Sequence, residues 1–312
     1  MLMDTSVNPT LERGWRFRRA DPSLPEVHRS VSVPKAGPGW WAVLRKLLAF
    51  SGPGYLIAVG YMDPGNWATD LAGGSQFYYG LLSVVVVSSL MAIFLQYLAL
   101  KLGVVTGRDL AQACRDHFHP AVNFVLWIGC EIAIAACDLA EVIGSAIALN
   151  LLFGLPLVWG VCLTACDVLA VLYLQQKGFR FVEALVLALI GVIALSFGIQ
   201  IFLSKPDWGA LAWGCLPSAE VLRNRDMLYV AIGIVGATVM PHNLYLHSSI
   251  AQTRNFEPTP QGQREAIFYG TIDSIAALFF ALFINAAILV VAAATFYRSG
   301  HHDVAEIQDA YM

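Results

Sequence analysis

The sequence is poor in charge: only 13% of its 312 residues are Asp, Glu, Lys or Arg. A typical soluble domain has about 25%. Hydrophobic residues instead make up 57% of the chain. This composition, sustained over such a length, excludes an ordinary soluble globular protein and indicates that lipid is the solvent.

Three local signals are also absent. The six cysteines include no CxxC pair, so neither a zinc ribbon nor a redox dithiol is indicated. The N-terminus is polar and rich in Arg, without the apolar core of a signal peptide. No HExxH motif or His-rich cluster occurs. The last absence argues against a membrane-embedded metalloenzyme, and we expect no enzymatic activity.

Seven apolar stretches are present, each near the roughly 20 residues that a helix needs to cross about 30 Å of hydrocarbon. They lie at about 47–75, 80–100, 120–150, 155–175, 183–204, 227–251 and 273–297. The second stretch has no charged residue, nor does the seventh from position 274 onward. The sequence therefore predicts an all-α integral membrane protein with about seven transmembrane helices.

The positive charges predict the orientation of these helices. Fifteen of the nineteen Lys and Arg residues fall in the N-terminal segment and in alternate loops, which the positive-inside rule places in the cytoplasm. We therefore predict a disordered cytosolic tail over 1–46 and an extracytoplasmic loop over 205–226. Residues 299–312 are then also extracytoplasmic, with residue 312 outside and the N-terminus inside.

Two of the spans contain a proline next to residues that can bind a cation. The first reads Asp63-Pro64-Gly65-Asn66, and the sixth reads Met240-Pro241-His242-Asn243. Proline removes a backbone donor and clashes with the preceding turn, so each helix is expected to break there. A break leaves carbonyl oxygens without partners in the membrane, and a bound cation can satisfy them. Paired breaks of this kind mark the substrate site of many transporters.

The residue types at the breaks favour a transition metal. Asp63 and Asn66 offer oxygen ligands, and unwound backbone near Gly60 and Ala237 offers carbonyls. Such a set alone would suit Mg²⁺, Ca²⁺ or Mn²⁺. The thioether of Met240 shifts the preference towards Mn²⁺ or Fe²⁺, because sulfur gains little from a hard, strongly hydrated ion. An isolated Met in a membrane helix is more often packing filler, but its place at the break favours the ligand interpretation.

These motifs resemble those of the Nramp family, whose bacterial members include proton-coupled manganese transporters. The resemblance covers about 52–297 and includes the run from Gly236 to Ser248 and the segment Asp138-Leu139-Ala140-Glu141. It implies a LeuT-type fold of two inverted five-helix repeats, with helices 1 and 6 broken in mid-membrane. It also implies that Asp63, Asn66, Met240, the Ala237 carbonyl and a carbonyl near Gly60 bind the metal.

The family likeness implies at least eleven helices, whereas about seven are present here. The first repeat is then complete over 47–204, and 227–298 forms only the start of the second repeat. The resemblance therefore implies a chain truncated at its C-terminal end. A truncated chain that does not transport, and serves as a structural or regulatory partner of an intact transporter, is the alternative function.

Span three carries three carboxylates, Glu131, Asp138 and Glu141. At 100° per residue, 131 and 138 differ by about 20° and 138 and 141 by about 60°, so all three share one face. Carboxylates inside the membrane are candidates for a proton relay, and a structural set of ion pairs is the alternative. His242 could join the relay or merely bond the freed carbonyls.

We therefore predict proton-coupled uptake of Mn²⁺, with Fe²⁺ as a second candidate ion, across the cytoplasmic membrane by alternating access. The expected partners are the divalent metal, protons and the lipid bilayer, with no nucleic acid and no permanently bound cofactor.

Overall fold

The computed structural model describes residues 22–25, 27–34, 39–176 and 179–301, together with positions 304, 308 and 310. These residues are mostly helical. The first helices are α1 (Trp40–Phe50), α2 (Pro53–Gly60), α3 (Pro64–Phe77), α4 (Leu82–Thr106), α5 (Leu110–His117), α6 (Pro120–Phe153), α7 (Leu157–Gln176) and α8 (Phe179–Ser204). The later helices are α9 (Trp208–Gly214), α10 (Glu220–Arg223), α11 (Arg225–Thr238), α12 (Pro241–Ile250) and α13 (Pro260–Ala292). A 3₁₀ turn (Ala251–Thr253) follows α12, and a π turn (Ala293–Tyr297) follows α13.

Proline residues set many of the helix starts. Five of the described helices have Pro in their first turn, where its missing N–H needs no partner; these are α2, α3, α6, α12 and α13. Pro64 and Pro241 each occupy the first position of a helix, α3 and α12. Helix α2 ends at Gly60 before α3 starts at Pro64, and α11 ends at Thr238 before α12 starts at Pro241.

The number of membrane-crossing helices differs from the prediction of about seven. Within the described residues, five helices are long and apolar enough to cross a bilayer, or six if α1 and α2, which meet at 43°, form one span. The first predicted span is divided among α1, α2 and α3, which are too short to cross alone. The fourth predicted span is not in this count, because only the shorter apolar helix Leu157–Cys166 within it is fully described.

The N-terminal tail predicted over 1–46 contains ordered structure, although its residues 1–21, 26 and 35–38 lie outside the described part. Strand β1 (Val31–Ser32) pairs in parallel with strand β2 (Arg254–Asn255), and α1 already begins at Trp40. Lys46 is buried and bonds the carboxylate of Glu265. The expectation of disorder is wrong for these residues, because partners more than 200 residues away supply contacts that local composition cannot reveal.

The predicted outer loop, 205–226, is likewise partly helical. It holds α9 and α10, and α11 begins within it at Arg225. Asp207 accepts hydrogen bonds from the first turn of α9, and Asn224 does the same for α11. These side chains satisfy backbone donors that a helix start would otherwise leave unpaired.

Helix α13 lies at the centre of the molecule. In its most apolar window 56% of the residues are buried, against 6% for α6. Ala277 and Ile284 on one side of it and Leu289 on another are fully buried. Close approach of α3 requires Gly74, since a Cβ there would lie 2.2 Å from the carbonyl oxygen of Leu289. This packing holds α2 and α3, with the break between them, against the centre of the bundle.

Candidate metal and proton site

Asp63 occupies the break between α2 and α3 and caps the second of these helices. Its Oδ1 accepts a hydrogen bond of 2.8 Å from the backbone N–H of Asn66. The side chain of Asn66 donates a second bond of 2.8 Å to the same oxygen. Helix N-termini favour negative charge, so this position stabilises an ionised carboxylate. The carboxylate at the break therefore stabilises the start of α3.

Asn66 joins the two interrupted helices. Its Nδ2 also donates to the carbonyl oxygen of Ala237, at 3.0 Å, in the last turn of α11. Its Oδ1 accepts from Thr238 at 3.2 Å and lies 3.5 Å from Nδ2 of Asn285 on α13. Both neighbours of Nδ2 are acceptors, which fixes the orientation of the amide. Asn66 is fully buried, so the two breaks meet inside the molecule.

A second group surrounds Met240, which is buried at the start of α12. Its sulfur lies 3.9 Å from Nδ2 of Asn243. Asn243 in turn lies against Gly60, where an added Cβ would meet the same Nδ2 at 2.4 Å. The last residue of α2 and the first turn of α12 are therefore in direct contact. Asn285 approaches this region too, by donating to the carbonyl oxygen of Tyr61 at 2.9 Å.

The structure thus arranges the five predicted metal-binding residues in two groups. Asp63, Asn66 and Ala237 bond one another, whereas Gly60 and Met240 both contact Asn243. Together they offer one carboxylate, an amide, a thioether and carbonyl groups. Nowhere in the described ranges do three His, Cys, Asp or Glu side chains gather as metal ligands. A set of mostly neutral donors suits an ion that must leave again, because conduction requires binding that is not too tight.

The carboxylates of α6 lie beside this site. These carboxylates are Glu131, Asp138 and Glu141, and all three side chains are exposed. Cys137 connects one of them to the break, since its sulfur is 4.0 Å from Oδ2 of Asp63 and 3.8 Å from Oε1 of Glu141. Trp127 donates to Glu131 at 2.9 Å, one turn earlier.

His242 faces both sets of acids. It interacts electrostatically with the carboxylates of Asp63 and Asp138. Its Nδ1 is buried and has no hydrogen-bond partner among the described residues. The imidazole is therefore within electrostatic range of one carboxylate at the break and one on α6.

The sequence analysis missed several polar residues around the breaks. His247, Gln96 and Tyr61 form a buried chain, with His247 Nδ1 at 2.9 Å from Gln96 Oε1 and Gln96 Nε2 at 2.9 Å from Tyr61 Oη. Ser274 closes it at 3.2 Å from the other ring nitrogen. Asn285 was signalled only by being a lone amide in a charge-free span, which is costly in lipid.

Asp70 lies seven residues beyond Asp63 on α3, so it is two turns along the same face. Only 1% of it is exposed, and neither carboxylate oxygen has a hydrogen-bond partner in the described part of the chain. Its neighbours on α3 show where it points: Asn66 contacts Asn285, and Gly74 contacts Leu289 on the same helix, α13. Asp70 is therefore enclosed between α3 and α13 next to the candidate site.

Comparison with known proteins places these features in context. A family model described as natural resistance-associated macrophage protein-like (Nramp) matches residues 54–312. The divalent metal cation transporter MntH of Nostoc sp. is 64% identical over 290 residues, which are 93% of this chain and 65% of that protein. The MntH of Bradyrhizobium diazoefficiens is 62% identical over 299 residues, 96% of this chain and 66% of that protein.

A solved structure is also similar. The manganese transporter of Eremococcus coleocola, in complex with an aromatic bis-isothiourea substituted compound, matches with a TM-score of 0.80 and 46% identity. The match covers 88% of this chain and 56% of that one. The chain thus spans just under two thirds of the length of the curated relatives that it matches.

Proposed function

Because this chain belongs to the Nramp family, we propose that it binds a divalent transition metal between its two interrupted helices and carries it, with a proton, through the membrane. The family consists of transporters and not of enzymes. The likeness to the solved manganese transporter gives the chain the LeuT-type fold, and its apolar helices make it a multi-pass membrane protein.

One contact supports the proposal most strongly: the side chain of Asn66 bonds Asp63 on one interrupted helix and the Ala237 carbonyl on the other. The amide N–H group of Asn66 lies between two oxygen acceptors, and a cation bound there would interact with the same two oxygens. On metal binding, Asn66 turns its oxygen towards the ion, and the ion replaces the amide hydrogens as the partner of Asp63 and Ala237. Met240 and the carbonyl at Gly60 complete the ligands.

The proposed cargo is Mn²⁺, with Fe²⁺ as a second ion. Both accept a thioether beside oxygen ligands, whereas Ca²⁺ and Mg²⁺ favour oxygen alone. The relatives named as manganese and divalent metal transporters are consistent with this choice. The proposed setting is the cytoplasmic membrane, with the N-terminus in the cytoplasm, as the distribution of Lys and Arg favours.

The proposed proton route runs from Asp63 through His242 to Asp138 and Glu141, and on towards Glu131. The 4.0 Å and 3.8 Å contacts of Cys137 support the closeness of Asp63 and α6. A divalent ion at Asp63 repels a proton held on the nearby imidazole, so metal entry and proton departure are linked electrostatically.

Uptake of Mn²⁺ into liposomes that contain the 312-residue chain tests the proposal. Asp63→Asn keeps the size of the side chain and removes its charge, so we expect uptake to be lost. Asp207→Asn is the matched control, since Asp207 also caps a helix but lies at α9, away from the breaks. Normal uptake by Asp63→Asn would refute the site. Absence of uptake by the unmodified chain, with Mn²⁺ still bound, would favour the regulatory alternative.

Proton coupling is tested with a pH-sensitive dye inside the same liposomes. We expect Mn²⁺ entry to acidify the interior. Asp138→Asn or Glu141→Gln should lower this acidification strongly, and should lower the affinity for Mn²⁺ less. Glu220→Gln on α10 is the control, because that acid is exposed and precedes the start of α11, whereas the break follows the end of α11. Equal acidification by all variants would contradict the relay.

A further inference from the structure

The segment before α1 lies across one end of the helical bundle. We call residues 22–25 and 27–34 the strap. The hydroxyl of Ser23 donates a hydrogen bond to the carboxylate of Asp109, and its Oγ lies 2.9 Å from Oγ of Ser249. Further along, the backbone N–H of Arg29 donates to the carbonyl oxygen of Gln252 at 3.0 Å. The strap therefore contacts α5 and the end of α12 at separate points.

The strap ends in a defined strand pairing. Val31 lies opposite Arg254 and Ser32 opposite Asn255, in parallel register. Val31 is buried, whereas Ser32 and Asn255 are exposed. A fixed register with one buried side chain distinguishes a specific docking site from loose contact, because a one-residue slip would expose Val31.

The strand that receives the strap is fixed to the first interrupted helix. Arg254 in β2 is 1% exposed and donates to the carbonyl oxygens of Ala49, at 3.1 Å, and Ser51, at 2.8 Å, at the junction of α1 and α2. It also bonds Glu183 of α8 at 2.8 Å. The docked strap is therefore attached to the ends of both interrupted helices.

The strap crosses a boundary that is closed in this structure. Helix α12 meets the α4–α5 region directly, since the backbone N–H of Leu110 donates to Ser248 at 2.8 Å and a Cβ at Gly103 would lie 2.4 Å from the Ser248 carbonyl oxygen. Ser23 bonds one residue on each side of this boundary, Asp109 and Ser249. If α12 moves away from α5, Ser23 cannot keep both bonds.

We propose that the strap is a latch, which holds α12 against α5 while the site is closed at the end of the bundle where the strap lies. The strap must leave its strand pairing before the bound cation can exit at that end. The inference rests on the proposed transport function. A pairing of two residues is marginal by itself, as short two-stranded sheets are, so the latch can open without unfolding the bundle.

A reversible cross-link tests the latch. Ser32→Cys with Asn255→Cys puts two cysteines directly opposite each other on exposed neighbouring strand positions, which are about 4.8 Å apart in a sheet and within disulfide reach. We expect the disulfide to form readily in the metal-free protein. We further expect the oxidised double variant to lose Mn²⁺ uptake and to regain it on reduction, while it binds Mn²⁺ in both forms. Each single variant and the unmodified chain, treated with the same oxidant, control for the six native free cysteines.

The latch is overturned if the disulfide fails to form, or if the fully cross-linked protein takes up Mn²⁺ at an undiminished rate. If the reduced double variant and the unmodified chain both take up no Mn²⁺, the proposed transport function fails, and the rate of disulfide formation then decides on the latch. A slower rate in the presence of Mn²⁺ shows that the strap leaves its site when metal binds. An unchanged rate shows a static attachment and refutes the proposal.

Discussion

Replacing Gly60 by Ala adds a single methyl group at the end of α2, and its effect can be worked out from the contacts there. The new Cβ would lie 2.4 Å from Nδ2 of Asn243, whereas real Cβ contacts essentially never fall under 3.0 Å. Asn243 must therefore move by at least about 0.6 Å, which exceeds the roughly 0.2 Å tolerance of metal–ligand distances. Since Asn243 contacts Met240, the thioether moves with it.

Overpacking of this kind costs about 1–3 kcal/mol where it cannot be relieved. The metal-free protein can relieve it by turning the end of the Asn243 side chain, whereas a bound ion would hold Met240 in place, so the cost falls mainly on the metal-bound state. About 1.4 kcal/mol there corresponds to tenfold in affinity. We expect Gly60→Ala to bind Mn²⁺ about tenfold more weakly than the unmodified chain. Isothermal titration of the purified protein in detergent measures this. Gly236→Ala is the matched control, because it also lies beside a break but a Cβ there meets nothing within 4 Å. Unchanged Mn²⁺ affinity in a folded Gly60→Ala variant would refute the assignment of this contact to the metal site.

Three further predictions follow from buried and partly buried groups. Glu183→Ala leaves the guanidinium of Arg254 without its carboxylate, so thermal or denaturant unfolding should show a loss of about 3–5 kcal/mol, and adding Arg254→Met should recover part of it; no recovery would contradict the pairing. Asp70→Asn should change unfolding stability by less than about 1 kcal/mol, because none of the described residues donates to its carboxylate. A loss well above that would reveal a partner. Burial, and secondly the charge of Asp109, raise the pKa of the Cys114 thiol; its alkylation rate should therefore keep rising with pH beyond the range of a free thiol, and Asp109→Asn should speed it at neutral pH, as mass spectrometry can follow.

The helix starts at Pro64 and Pro241 could be predicted because their causes are local. A proline favours the first turn of a helix, and Pro64 and Pro241 take that place in α3 and α12. Asp63 caps α3 by accepting a hydrogen bond from the backbone N–H of Asn66. The family resemblance was equally readable, since its motifs are contiguous. The membership and the fold are confirmed, whereas the metal and proton residues remain predictions.

The remaining features depend on contacts distant in sequence. Asn285 reaches Asn66 across 219 positions, and β1 finds β2 across more than 200. Neither segment has a local pattern that names its partner. The helix ends were misjudged for a different reason: hydropathy marks the part of a helix that is apolar, but α13 begins at Pro260, well before its apolar run, because Thr259 caps it there.

The hydrogen bond from the amide of Asn66 to Asp63 affects which ions can bind to the metal-free protein. A carboxylate within a bilayer normally recruits a counter-ion from solution, and Na⁺ or K⁺ is far more abundant than any trace metal. Asp63 instead shares the hydrogens of a neighbouring side chain, which are always available and carry no net charge. An incoming ion has to displace that internal donor, which a doubly charged ion does more readily than a singly charged one. Under the proposed function, we therefore expect common monovalent ions to compete poorly with the divalent ion at Asp63.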